Sequence, residues 1–323
     1  MNIYIKPAEL CNLRCLHCYN AKEIINKKTL DLNQVRSFLS KIEDNLNNYY
    51  IIHGGEPLLL HIDYLKELRD IKPNSKWRIT TNLTLDLDKD KIDFLNSLDE
   101  IRTSFDIKIR FNNIKNLLTW KKNLNKLDRS KVSLIICLTP YILKHNPEDI
   151  LKLLNQLKIN KVYFERICIT GAAIYNQNCV CAYTDIDNWL CNLYHVYKNK
   201  YKHLQIMEFY NIEAGINQDL NNYRGSCCCK KAITINSDGT IGECPNNANY
   251  DIIGTIYNEP EEAFNKKCMG CKINPKCLSC DYFKYCRGGC EQQLWQDNIC
   301  PYPKKLFNLI RNDLNEHNSQ LQM

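Results

Sequence analysis

Three cysteines fall within eight residues near the start of the chain, at Cys11, Cys15 and Cys18, with three and then two residues between them. That spacing suits a short loop folded around one metal centre. Four-iron clusters are held by Cys thiolates and take four ligands. Here only three are local, and the next cysteine is Cys137. Three thiolates leave one iron open, and an open coordination position is where metal chemistry takes place. A zinc knuckle and a redox dithiol are the other readings of the triplet. Zinc wants a fourth local Cys or His. His17 is on offer, but its place between Cys15 and Cys18 makes simultaneous ligation cramped.

The elements that must position this loop read as alternating strands and helices. Ile3 to Pro7 is a short first strand that delivers the loop. Leu30 to Ile42 carries apolar residues at helical spacing. Asn48 to Ile52 reads as a second strand and runs into His53, Gly54, Gly55, Glu56 and Pro57. Two glycines at a strand end allow close backbone approach and unusual torsions. Four further strands follow, Trp77 to Asn82, Ile101 to Asp106, Val132 to Leu138 and Lys161 to Arg166, with helical stretches between them. Alternation of this kind predicts parallel β/α units, with active groups at the C-terminal strand ends. Those ends are Thr81, Asn82, Ser104, Asp106, Glu165 and Arg166. A strand-end Asp also serves as a helix cap or turn former. Arg166 reads equally as a surface residue before a turn.

Behind the Cys triplet, the Gly54–Pro57 turn after the second strand resembles the radical SAM superfamily. The resemblance implies an open (β/α)6 partial barrel, a [4Fe-4S] cluster on Cys11, Cys15 and Cys18, and S-adenosylmethionine chelated at the open iron. It further implies reductive cleavage to a 5′-deoxyadenosyl radical that abstracts hydrogen from substrate. No protein side chain is assigned a catalytic role, since the cofactor carries the radical. The cofactor contacts it implies are His17, Tyr19, Gly54, Gly55, Glu56, Pro57, Thr81, Asn82, Ser104, Asp106 and Arg166.

A second cysteine field begins after a polar stretch at 219–225. Cys227, Cys228 and Cys229 are consecutive, and Ala232 to Cys244 is a hairpin signal with Asp238-Gly239 between short apolar runs. Cys277, Cys280, Cys286 and Cys290 then follow at intervals of two, five and three residues, and Cys300 comes after. This field resembles the SPASM extension of radical SAM enzymes, which implies two auxiliary [4Fe-4S] clusters. By that resemblance Cys277, Cys280, Cys286 and Cys300 hold the distal cluster. Cys290 crosses to the nearer one, with Cys244 and one or two of Cys227 to Cys229. Alternation along an extended chain favours Cys227 and Cys229 over Cys228, and Cys268 and Cys271 stand as substitutes. A pair of zinc sites is the competing reading. Cys137 and Cys191 read as packing thiols, and Cys179 and Cys181 as thiols of a connecting loop. The expected organisation is a barrel at 1–205, a linker at 206–226, a small Cys-rich domain at 227–310 and a polar tail at 311–323.

Bulk composition agrees with a globular metal protein. The chain has 323 residues, of which 44% are hydrophobic, and 19 cysteines without an export signal. Many cysteines in that setting point to metal rather than disulfides, and to the cytoplasm. Net charge is +7 from 43 basic and 36 acidic residues, with no basic block, so nucleic acid is not an expected partner. No apolar run reaches the length of a membrane span.

The resemblance implies a peptide or protein substrate and an oxidative modification, a thioether or carbon–carbon crosslink. It implies a flavodoxin- or ferredoxin-like electron donor. The chain starts close to its first strand, so a leader peptide is expected to be met by a separate protein or by the barrel rim. Formylglycine formation is a second reading. It is weakened because Pro245 follows Cys244, where sulfatase maturases commonly carry an Asp. Small-molecule or tetrapyrrole oxidation is a third. A non-catalytic iron–sulfur or zinc carrier is a fourth, but a carrier has no need of the Gly54–Pro57 turn.

Overall fold

The computed structural model describes residues 1–25, 27–43, 48–106, 108–111, 113–217, 232–266, 273–290 and 292–321. In chain order the elements are β1 (Asn2–Ala8), α1 (Leu32–Ser40), β2 (Tyr49–Gly54), α2 (Ile62–Arg69), β3 (Lys76–Thr81), α3 (Lys89–Ser97), β4 (Glu100–Ser104) and α4 (Ile114–Leu124). Then come β5 (Val132–Cys137), α5 (Pro140–Leu143), α6 (Pro147–Gln156), β6 (Lys161–Glu165), α7 (Tyr183–Lys200), β7 (Gln205–Ile206) and α8 (Met207–Ile216). The last are β8 (Ala232–Ile235), β9 (Thr240–Gly242), β10 (Ile252–Thr255), α9 (Pro260–Lys266), α10 (Phe283–Cys286) and α11 (Lys304–Leu321). The fold is α/β with a largely parallel sheet, as the alternation predicts.

Short polar side chains set the helix starts. Asp31 accepts the N–H of Asn33, and α1 begins at Leu32. Asp88 accepts from Lys91 and sets the start of α3, and Asn113 accepts from Lys115 and Asn116 ahead of α4. Such caps satisfy N–H groups that have no partner inside the helix.

The chain divides into two compact units that interleave in sequence. The first comprises Met1–Ser133, Thr170–Tyr175 and Cys228–Gly270. The second comprises Leu134–Ile169, Asn176–Cys227 and Cys271–Met323.

In the first unit β1 pairs in parallel with β2, β2 with β3, and β3 with β4. The other side of β1 pairs in parallel with β8, and β9 and β10 continue from it antiparallel. β1 is therefore a central strand, and Ile3, Ile5, Tyr50, Ile51, Ile52, Trp77, Ile79 and Ile101 are buried along β1 to β4. Parallel strands covered on both faces read as continuous apolar runs. The turn of the β8–β9 hairpin is at Asp238-Gly239, with Gly239 at φ +85°, as its sequence predicts.

In the second unit β6 pairs in parallel with β7. α7 and α11 pack together, and the Asp187 carboxylate on α7 accepts the backbone N–H groups of Lys305 and Leu306 at 2.9 and 3.0 Å. A side chain of one helix thus caps the N-terminus of the other.

Candidate functional site

In the first unit β1 ends at Ala8 and the chain enters the loop that carries Cys11, Cys15 and Cys18. The loop is held by its own backbone. Cys11 N–H donates to Ile24 O at 3.2 Å and Cys18 N–H to Cys15 O at 3.1 Å. Arg14 Nη1 donates to Cys11 O at 2.7 Å.

Two glycine turns press on this loop. A Cβ on Gly55 would lie 2.2 Å from Glu9 O and 2.3 Å from Leu10 O. Only glycine allows that approach, and it brings Glu56 N–H to Leu10 O at 2.9 Å. At the far side Gly171, at φ +55°, would place a Cβ 2.3 Å from Cys18 O. Its neighbour Ala172 donates its N–H to that same carbonyl at 2.9 Å.

Burial keeps the triplet thiols neutral until a metal binds. Burial pushes the Cys11 thiol up to about 11 and also raises Cys15 and Cys18. Left alone, these groups would stay protonated at neutral pH. A bound metal deprotonates a coordinating thiol outright. Three partly buried sulfurs in one eight-residue loop therefore fit the donor set of a cluster.

Polar groups surround the loop. The Glu56 carboxylate is buried. Its Oε1 accepts Thr81 Oγ1 at 2.7 Å and Leu58 N–H at 3.0 Å, and its Oε2 accepts Asn82 N–H at 2.7 Å. Burial raises its pKa, and those hydrogen bonds oppose the rise. Asn82 Nδ2 donates to Asn12 Oδ1 at 2.9 Å and lies 3.9 Å from Cys11 Sγ. Asp106 is fully buried after β4; its Oδ2 accepts Arg110 Nε at 2.9 Å and lies 3.7 Å from His17 Nε2. Tyr19 Oη and His53 Nδ1 are 2.9 Å apart. Burial, with the charges of Lys6 and Arg102, holds His53 down to about 3, so its imidazole is neutral at ordinary pH.

The second unit gathers Cys277, Cys280, Cys286 and Cys300. Their thiols interact electrostatically, and burial raises Cys277, Cys300 and, to about 11, Cys286. The segment is wound in short turns, with Cys280 N–H donating to Cys277 O at 3.1 Å and Gly289 N–H to Cys286 O at 3.0 Å. Arg166 pairs with Glu208 at 2.7 Å.

A sequence profile of the radical SAM superfamily matches residues 5–157. Residues 5–157 belong to the radical SAM superfamily. An uncharacterized protein of Archaeoglobus fulgidus is 32% identical over 83 residues, which is 25% of this chain and only 20% of that protein's length. Among solved structures, anSMEcpe with bound AdoMet superposes with a TM-score of 0.77 at 19% identity, covering 98% of this chain and 99% of that one. The same protein with AdoMet and Cp18Cys peptide gives 0.74 at 18% identity, with coverage of 98% and 99%. Streptococcus suis SuiB bound to precursor peptide SuiA gives 0.61 at 18% identity, covering 93% of this chain and 75% of that one. These likenesses establish the fold over nearly the whole chain.

Radical SAM membership implies a [4Fe-4S] cluster and AdoMet, and the first unit brings together most of the expected site. Cys11, Cys15, Cys18, His17, Tyr19, Gly54, Gly55, Glu56, Pro57, Thr81, Asn82, Ser104 and Asp106 all lie in it, as does Cys244. The resemblance puts Glu56 at the methionine amino group; in the structure its oxygens also brace the turn after β2 against the end of β3. Ser104 is buried at the end of β4. Arg166, Cys277, Cys280, Cys286, Cys290 and Cys300 lie in the second unit. Cys227, Cys228, Cys229, Cys268 and Cys271 lie outside the described residues. Cys179 and Cys181 are buried, and Gln296 Nε2 donates to Cys181 O at 3.2 Å.

Sequence reasoning missed Arg110, His53, Lys6 and Glu9. The four-residue interval from Asp106 to Arg110 was a usable signal. Lys6 and Glu9 had none: a charged residue beside an apolar strand reads as solvated until β8 is known to cover that side.

Proposed function

We propose that the chain is a radical SAM enzyme that reductively cleaves S-adenosylmethionine and oxidises a peptide or protein substrate. The observation that carries this reading is the three-thiol loop clamped by Gly55 on one side and Gly171 on the other. When bound, the cluster and S-adenosylmethionine supply a 5′-deoxyadenosyl radical for hydrogen abstraction. The protein holds, orients and shields. Cys11, Cys15 and Cys18 would hold the cluster. The Gly54–Glu56 turn and the strand ends at Thr81, Asn82, Ser104 and Asp106 would line the cofactor. Arg110, paired with Asp106 and electrostatically felt at Cys15 and Cys18, would offset negative charge at the thiolates.

The peptide class draws support from anSMEcpe and SuiB, whose structures hold a Cp18Cys peptide and the precursor peptide SuiA. Crosslinking of a ribosomal peptide is favoured over formylglycine formation because Pro245, which cannot act as a base, follows Cys244. Cys277, Cys280, Cys286 and Cys300 would hold one auxiliary cluster, and Cys244 would contribute to another. Such clusters suit electron removal from a substrate radical. The electron that starts the reaction would come from a flavodoxin- or ferredoxin-like donor.

The test is turnover of candidate peptides with reductant and S-adenosylmethionine, read by mass spectrometry. A product lighter by two hydrogen atoms, with fragment ions that show two residues joined, supports crosslinking. Conversion of a Cys or Ser side chain to an aldehyde would move the assignment to maturation of the sulfatase type.

A further inference from the structure

Lys6 is fully buried on a strand whose other inward residues are apolar. Its Nζ donates to Asn249 Oδ1 at 2.7 Å, lies 3.6 Å from Glu9 Oε1, and sits 5.7 Å from the centroid of the Tyr19 ring. Glu9, also buried, closes the ring: its Oε1 accepts Asn249 Nδ2 at 2.7 Å and its Oε2 accepts Ser237 Oγ at 3.3 Å. A buried ion pair seldom stabilises a fold more than apolar residues of the same volume would. Its place in the fold points to a different role.

Glu9 stands two residues before Cys11, at the root of the thiol loop. Asn249 stands on the turn that leaves Cys244. That turn is tight: Asn247 N–H donates to Cys244 O at 2.9 Å, Asp251 N–H to Asn247 O at 3.1 Å, and Asn236 Nδ2 to Ala248 O at 2.8 Å. A Cβ on Gly242 would lie 2.5 Å from Ala248. A grip on Asn249 therefore fixes Cys244. The Cys244 sulfur interacts electrostatically with both Lys6 and Tyr19, and Tyr19 directly follows Cys18.

We propose that Lys6 and Glu9 form a clasp that positions the Cys244 turn against the thiol loop, and whose two opposite charges set the reduction potential of the iron–sulfur group Cys244 holds. This rests on the reading of Cys244 as a cluster ligand. Net charge and hydrogen bonding around a cluster set its potential. The ammonium favours the reduced, more negative state, and the carboxylate opposes it. Lys6 and Glu9 thus act as positioning residues, through Asn249 and the charge they place beside Cys244.

The test is an EPR-monitored redox titration of the full-length, anaerobically reconstituted protein, with iron assayed in parallel. At the parent midpoint, Lys6→Met should lower the ratio of reduced to oxidised group about tenfold, a shift of ~59 mV for one electron. Glu9→Gln should raise it by a similar factor, and the double variant should return close to the parent. Asn249→Ala keeps both charges; it should move the potential little and speed hydrogen exchange over residues 244–251. Should Lys6→Met fail to fold, Glu9→Gln and Asn249→Ala decide the matter. Full iron with no shift, or with shifts of the same sign, would overturn the clasp. A parent protein holding about four irons rather than about twelve would overturn the cluster reading beneath it instead.

Discussion

The Glu56 carboxylate accepts the backbone N–H of Asn82 at 2.7 Å, so the turn after β2 and the end of β3 share one buried acceptor. Glu56→Gln should loosen both. The amide offers one acceptor oxygen where the carboxylate offers two, and it turns an N–H₂ toward donors. The expected cost is about 1–3 kcal/mol, the range for stranding a buried polar group. Urea unfolding of the apoprotein measures it, and S-adenosylmethionine affinity should fall in parallel. A variant as stable as the parent would show that the brace contributes nothing.

Gly171 should tolerate no side chain. Its positive φ already disfavours one, and the added Cβ would meet the Cys18 carbonyl. Gly171→Ala should displace Cys18 and reduce the iron held by the triplet after reconstitution. Gly239 is the control: its φ is +85°, but the added Cβ meets the flexible Ile256 side chain at 3.3 Å. Gly239→Ala should cost about 1 kcal/mol of backbone strain and leave triplet iron unchanged. Equal iron loss in both variants would mean that strain alone, and no contact at Cys18, is responsible.

His53 gives the apoprotein a pH dependence of known sign. Its folded-state pKa is held down to about 3, against 6.5 unperturbed, chiefly by burial. A depressed pKa means that protonation favours the unfolded chain. The contribution is whole above about pH 6.5 and is lost as pH falls toward 3. Its size is on the order of 2 kcal/mol, discounted for partial solvent access. Stability of His53→Gln should fall less steeply than the parent's between those limits. Parallel curves would place the acid sensitivity elsewhere.

The thiol loop and the Gly54–Pro57 turn were legible because their residue types are unusual and their spacing is local. The first helix was legible from the apolar spacing of Leu30 to Ile42, but its start at Leu32 behind the Asp31 cap, like the caps at Asp88 and Asn113, came only from the structure. The clasp was not, because Lys6 and Asn249 are 243 positions apart and nothing in either neighbourhood announces the other. Glu56 shows a subtler limit. Its position was readable, but its bracing bonds to Thr81 and Asn82 emerge only once β2 and β3 are paired in register.

Asp187 links α7 to α11 in the second unit through the N–H groups of Lys305 and Leu306. Asp187→Ala should cost about 1–2 kcal/mol, as loss of a helix cap does. Asp187→Asn, which keeps an acceptor, should recover much of it. Chemical denaturation reads both. No difference between Ala and Asn would mean that the cap is not the source of the loss.

The central claim is that Cys11, Cys15 and Cys18 hold the cluster that cleaves S-adenosylmethionine. The measurement is 5′-deoxyadenosine formation under anaerobic conditions with dithionite, comparing the reconstituted parent with the variant in which all three cysteines are Ala. The account predicts product from the parent and none from the variant, with the variant keeping roughly two-thirds of the iron if two auxiliary four-iron clusters remain. Undiminished 5′-deoxyadenosine from the triple variant would contradict it.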